Sequence, residues 1–137
     1  PENKDIFTLY RWLTYGQDRV NRAAQASAKA NELYNNGNYQ EASLQFAEAM
    51  DLDPLESGYG LNAGLSHFQA KDYKTAIKYF NIVIPSKNKE NSLRAMRFKA
   101  LSLYSLNQKV EACKVFDELR LKGKKRMYQQ EFTKFCK

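Results

Sequence analysis

Histidine occurs once in the 137 residues, at His67, and cysteine only twice, at Cys113 and Cys136. With a single imidazole, no Ser/His/Asp or Cys/His set with supporting spacing can be assembled, and the sequence offers no catalytic residue. His67 falls where a helix meets its neighbour, so a core role is the simpler reading. Two cysteines without close spacing make neither a metal motif nor a disulfide framework, and they read as two small helix residues. No glycine-rich stretch of the phosphate-cradling kind is present. No metal or other cofactor is expected. No uninterrupted apolar run approaches the length that spans a membrane. Proline is restricted to Pro1, Pro54 and Pro85. The last two each stop a helix, because proline lacks the backbone donor and its ring crowds the preceding turn.

What the chain does have is a repeated stretch. Asn36-Gly37-Asn38 has the composition of a tight turn. Tyr39, Ala42, Phe46 and Ala49 then recur at helical spacing. The pattern returns at Tyr73, Ala76 and Phe80, each 34 residues after Tyr39, Ala42 and Phe46. A third copy, Ala112 and Phe116, is offset by 36, as if two residues were inserted near Lys87 to Asn91. Small residues at Ala30, Gly64 and Ala100 precede the same three stretches. The spacing predicts first helices near 24–36, 57–70 and 91–106, and second helices near 39–51, 73–84 and 109–120. Small residues on facing helices let them approach closely, and Phe46, Phe80 and Phe116 fill the space to the next pair.

These residues resemble the tetratricopeptide repeat, a helix–turn–helix unit of 34 residues whose pattern ends in A-x3-F and a proline. The match runs from about Ala24 to Gly123. It implies an all-α fold: an α-solenoid of three helix–turn–helix pairs. The organisation expected is an N-terminal helical segment over 1–22, three repeats over 23–123 (23–56, 57–90 and 91–123), and a C-terminal capping helix over 124–137. In the last, Met127, Tyr128, Glu131, Phe132 and Phe135 keep helical spacing. Terminal repeats need a cap because an unpaired apolar face would otherwise meet water. Gly123 is expected to break the chain ahead of it.

The charge is +7 in total and unevenly spread. Residues 23–54 carry one base against five acids, whereas residues 109–137 carry nine bases against four acids. That polarity favours an acidic partner at the C-terminal end, or the mating of unlike ends of neighbouring molecules. Glu41, Glu48, Asp51 and Asp53 read as a solvated helix face and terminus. The basic run Lys122 to Arg126 admits a nucleic-acid contact. The neighbouring aromatics keep helical spacing and read as core rather than stacking platforms, so nucleic acid is not the expected partner.

Residues 4–15 precede the first repeat and read as a helix. Ile6, Leu9 and Leu13 lie at i, i+3 and i+7, with Phe7, Tyr10 and Trp12 adding bulk. This segment is too apolar for a solvated tail. It caps the stack, lies in a groove of its own or another molecule, or docks on a further domain. The chain starts at Pro1 instead of a methionine and reads as a trimmed or processed product. The compartment is unknown: a cytoplasmic setting is the default, and a periplasmic or envelope-associated one fits if a signal or anchor was removed.

The resemblance implies a concave face lined by the first helix of each pair that takes a peptide or helical segment of another protein. Position by position this gives Ser27, Asn31 and Tyr34, then Leu61, Asn62, Leu65 and Phe68, then Arg94, Arg97, Phe98, Leu101 and Tyr104. Leu61, Leu65, Phe68 and Leu101 are not required for packing within a pair, and Arg94 and Arg97 suit a carboxylate or phosphate. Some family members grip the acidic tail of heat-shock chaperones with a two-carboxylate clamp. Asn31, Asn62 and Arg94 match clamp positions, while Ser27 and Phe98 replace its first Lys and last Arg. The function expected is a non-enzymatic protein–protein interaction scaffold. The alternatives are a client-binding protein of a secretion or chaperone assembly, and a homo-oligomeric module with the N-terminal helix exchanged between subunits.

Overall fold

The computed structural model describes residues 5–137, which form eight helices and no strand. The helices are α1 (Ile6–Tyr15), α2 (Gln17–Asn35), α3 (Tyr39–Leu52), α4 (Ser57–Gln69), α5 (Tyr73–Val83), α6 (Lys89–Ser105), α7 (Lys109–Gly123) and α8 (Arg126–Cys136). The pairs α2/α3, α4/α5 and α6/α7 stack in chain order. Lys4, where the expected first helix began, lies outside the described residues. Gly16, at φ 86°, separates α1 from α2, and α2 then runs unbroken into the first repeat.

One turn is used three times. Gly37, Lys71 and Asn107 all have left-handed backbone, with φ of 83°, 63° and 62°. The residue after each donates its N–H to the carbonyl five residues back: Asn38 to Leu33 at 2.8 Å, Asp72 to His67 at 2.9 Å, Gln108 to Leu103 at 2.9 Å. This closes the carbonyls that the end of a helix leaves open. Only the first copy uses glycine, the residue that adopts this conformation without a steric penalty.

Behind the turns, Ala30, Ala42, Ala76, Ala100 and Ala112 are fully buried, and Phe46, Phe80 and Phe116 nearly or wholly so. The need for small residues is measurable at Gly64, where a Cβ would sit 2.5 Å from the Phe80 ring. The two extra residues before the third pair are spent on the corner between α5 and α6. There Asn88 caps α6, its side-chain oxygen accepting from the Asn91 N–H at 3.0 Å, and the Ser92 hydroxyl donates to the Ile84 carbonyl.

At the C-terminal end two details differ from expectation. Cys113 and Cys136 are joined in a disulfide with Cα atoms 5.7 Å apart, because α8 folds back along α7 and brings together residues 23 apart in sequence. Gly123 does not break the helix. It belongs to α7, and Lys124 makes the left-handed turn instead. The glycine is needed for space, since a Cβ there would lie 2.3 Å from the buried Tyr128 ring. Phe135 lies flat on Phe116 at 5.4 Å and tilts against Tyr104 at 4.8 Å, so α8 seals the third pair with its aromatic face.

The acidic face also differs in one residue. Glu41, Glu48 and Asp51 are exposed, but Asp53 is wholly buried. Its carboxylate accepts from Arg11 of α1, the Nε–H lying 2.8 Å away and a second guanidinium N–H also bonding the same oxygen.

Candidate functional site

α4 packs directly on α6, while the second helices α3, α5 and α7 do not approach one another to that extent, and neither do α2 and α4. The second and third pairs therefore lean together through their first helices. The face expected from the repeat is the one that α2, α4 and α6 contribute.

The predicted residues do not all reach it. Leu61 is 1 % exposed, enclosed by Ala76, Phe80, Val83 and Ala95. Its side of α4 is the side on which α6 packs, so it holds neighbouring pairs together and cannot meet a partner from the groove. Leu65, Phe68 and Phe98 are partly buried against the same cluster, and Leu101 and Tyr104 against the next one. The contacts between pairs thus use residues that packing within a pair leaves over. Phe68 meets Phe98 edge to face at 5.2 Å and Tyr73 at 5.5 Å, which makes a continuous half-exposed aromatic ledge. Tyr34 makes a similar edge contact with Tyr39 at 5.1 Å, and Ser27 is half-buried.

The two arginines part company. Arg97 forms a bidentate pair with Glu131 of α8, Nε to Oε1 at 2.9 Å and Nη2 to Oε2 at 2.9 Å. Those hydrogen bonds raise its pKa above the usual arginine value against the opposing effect of burial. Arg97 is thus committed to holding α8 and is not free for a ligand. Arg94, one turn earlier, is exposed and has no ion pair or hydrogen bond among the described residues. The side chains of Asn31 and Asn62 likewise make no hydrogen bond among the described residues. Asn31, Asn62 and Arg94 therefore keep unspent donors and acceptors, one on each of α2, α4 and α6.

His67 stacks on Tyr79 at 5.4 Å with its ring nitrogen 3.5 Å from Asp72. Burial lowers its pKa and Asp72 only partly offsets that. It packs in the helix pair, in line with a core role. No group of three or more His, Cys, Asp or Glu among the described residues is placed to hold a metal ion. None of the described helices is long and apolar enough to cross a membrane.

Comparison with known proteins bears on this geometry. The tetratricopeptide repeat family model matches residues 27–92. Those residues belong to the tetratricopeptide repeat family. The solved structures agree on the fold. The N-terminal domain of stress-induced protein-1 (STI-1) from C. elegans superposes with a TM-score of 0.78 at 14% identity, over 87% of this chain and 98% of that one. The first tetratricopeptide domain of Spaghetti (RPAP3), bound to the HSP90 peptide SRMEEVD, gives 0.72 at 20% identity over 85% and 91%. The Arabidopsis OM64 tetratricopeptide domain gives 0.72 at 15% over 85% and 98%. No curated protein sequence matches the chain. Tetratricopeptide repeats are protein–protein interaction modules, and residues 27–92 carry that repeat.

A second concave feature went unseen in the sequence. A cleft of about 820 Å³ lies between Phe7 and Tyr10 of α1, Met50, Pro54 and Leu55 at the α3–α4 corner, and Ile82 and Pro85 at the end of α5. Its α1 wall is held by the Arg11–Asp53 bond. Burial opposes the Arg11 charge, but the hydrogen bond and charge of Asp53, with Glu56 3.7 Å away, raise its pKa overall. The signal that could have found this pair is the isolation of Arg11: it is the single charged residue in Ile6–Tyr15.

Proposed function

We propose that the chain is a non-enzymatic adaptor that holds a peptide or helical segment of a partner protein across α2, α4 and α6. The observation that carries this reading is that each first helix keeps one unspent polar side chain, Asn31, Asn62 or Arg94, while Leu65, Phe68 and Phe98 on α4 and α6 stay only partly buried. The solved Spaghetti domain holds an acidic peptide, SRMEEVD. In this chain Ser27 and Phe98 stand where a two-carboxylate clamp has cations, and Arg97 is spent on Glu131. One free cation beside aromatic surface suits a segment with a single acidic group followed or preceded by apolar side chains. A Cys113–Cys136 disulfide suits an oxidising compartment, where such bonds persist.

Display of random peptides on the oxidised protein tests the reading. Enriched sequences should pair one acidic residue with apolar ones, and Arg94→Glu should weaken them about tenfold, about 1.4 kcal/mol. Amide chemical-shift changes should cluster on α2, α4 and α6. Enriched peptides whose shifts map elsewhere, or that ignore Arg94→Glu, would overturn it.

A further inference from the structure

The helix α1 is docked inside out. Its one charged residue, Arg11, points inward and is buried against Asp53 and Glu56. Ile6, Leu9, Tyr10 and Leu13 point outward, Ile6 86 % exposed, Leu13 87 %, Tyr10 55 % and Leu9 45 %, while Trp12 and Tyr15 are partly buried. An amphipathic helix ordinarily does the reverse. The inversion is imposed by geometry and cannot relax by rotation, because turning α1 would pull Arg11 from a carboxylate that no water reaches. Phe7 of α1 with Leu55 and Ile82 across the cleft extends the same surface. These side chains lie along one side of α1 and the near rim of the cleft, a run of exposed apolar residues of the kind that marks an interaction surface.

We infer that this face is covered by the same face of a second copy, α1 lying antiparallel on α1 across a two-fold axis. Two observations select that occupant. A two-fold contact sets each patch against itself, so any net charge in it would repel its own image. The outward side of Ile6–Tyr15 has no charge at all. A helix that lies on a lipid surface carries Lys or Arg along its polar side, and α1 has only Arg11, which is turned into the protein. The seam also has the right spacing. Ile6, Leu9 and Leu13 fall at i, i+3 and i+7, the period by which two helices interlock side chains along a shared line. No exchange of α1 between subunits is involved, since each α1 stays on its own chain through Arg11. The inner groove is on other helices and remains open in the dimer.

Sedimentation equilibrium from low to high micromolar concentration tests this on the full oxidised chain. The chain should pass from monomer to dimer across that range. The double variant Ile6→Lys/Leu13→Lys should raise the dissociation constant at least a hundredfold while leaving the thermal midpoint of the monomer unchanged, since both side chains are solvent-facing. Val110→Lys, an exposed apolar residue on α7, should leave the dimer intact. A chain that stays monomeric throughout, or a dimer that survives the double variant, overturns the inference. So does a monomer that binds phosphatidylcholine–phosphatidylglycerol vesicles and loses that binding in the double variant.

Discussion

The two helices that flank the repeats face opposite fates. α8 buries its aromatic face: Tyr128 is enclosed, Phe135 lies on Phe116, and the helix is secured by the Cys113–Cys136 disulfide and the Arg97–Glu131 pair. α1 buries its charge and turns Ile6, Leu9, Tyr10 and Leu13 out, held by Arg11 with Trp12 and Tyr15 partly buried. A stack of repeats must close its apolar ends, and α8 does so. α1 does not; it converts one corner of the stack into a new apolar surface. Flanking helices can therefore end a solenoid or extend its repertoire, and here the difference lies in whether the contact residue is a phenylalanine or an arginine.

The comparison can be broken at either end. Arg11→Met leaves the Asp53 carboxylate buried without its cation, which costs about 3 kcal/mol, the scale of truncating one partner of a buried pair. Part of that cost is avoided if α1 detaches, so emission from Trp12, the sole tryptophan and itself in α1, should shift to the red while circular dichroism of the repeats persists. Arg11→Met/Asp53→Asn should recover most of the loss. At the other end, Cys113→Ser or reduction opens a loop of 23 residues and should lower stability by about 3 kcal/mol. Exchange of α8 amides should quicken first and Trp12 emission should not move. The smallest effect is expected from Arg97→Gln, which removes a half-buried pair that α8 can outlast through the disulfide. A loss of about 1 kcal/mol in thermal unfolding, rising when combined with Cys113→Ser, would show that the two anchors share one task.

The repeat was legible because its physics is local. The turn residues recur at fixed offsets, and the buried alanines and phenylalanines recur at helical spacing. A single chain read by period alone therefore yields the pairs and most helix ends to within three residues, although α2 starts at Gln17, well ahead of the expected residue 24. What periodicity cannot show is which helix lies over which. Leu61 is indistinguishable in sequence from Leu65, yet the approach of α6 encloses one and leaves the other half open. Asp53 falls in an acidic stretch and only the arrival of Arg11, 42 residues away, buries it. Cys113 and Cys136 are unremarkable until α8 folds back. Each of these misses involves a contact between elements distant in the chain, where no local pattern carries the information. In the groove, the residue types at Asn31, Asn62 and Arg94 were visible in advance, whereas their freedom from internal partners was not.

The inverted docking of α1 is the claim on which the rest of the asymmetry stands. Backbone hydrogen exchange of the oxidised chain, followed at low and at high micromolar concentration, addresses it directly. If α1 presents its apolar side to a second copy, protection across Ile6–Tyr15 rises with concentration while protection across Arg126–Cys136, sealed within its own chain, does not change. Protection of α1 that is independent of concentration, or a rise shared equally by α8, would contradict the account.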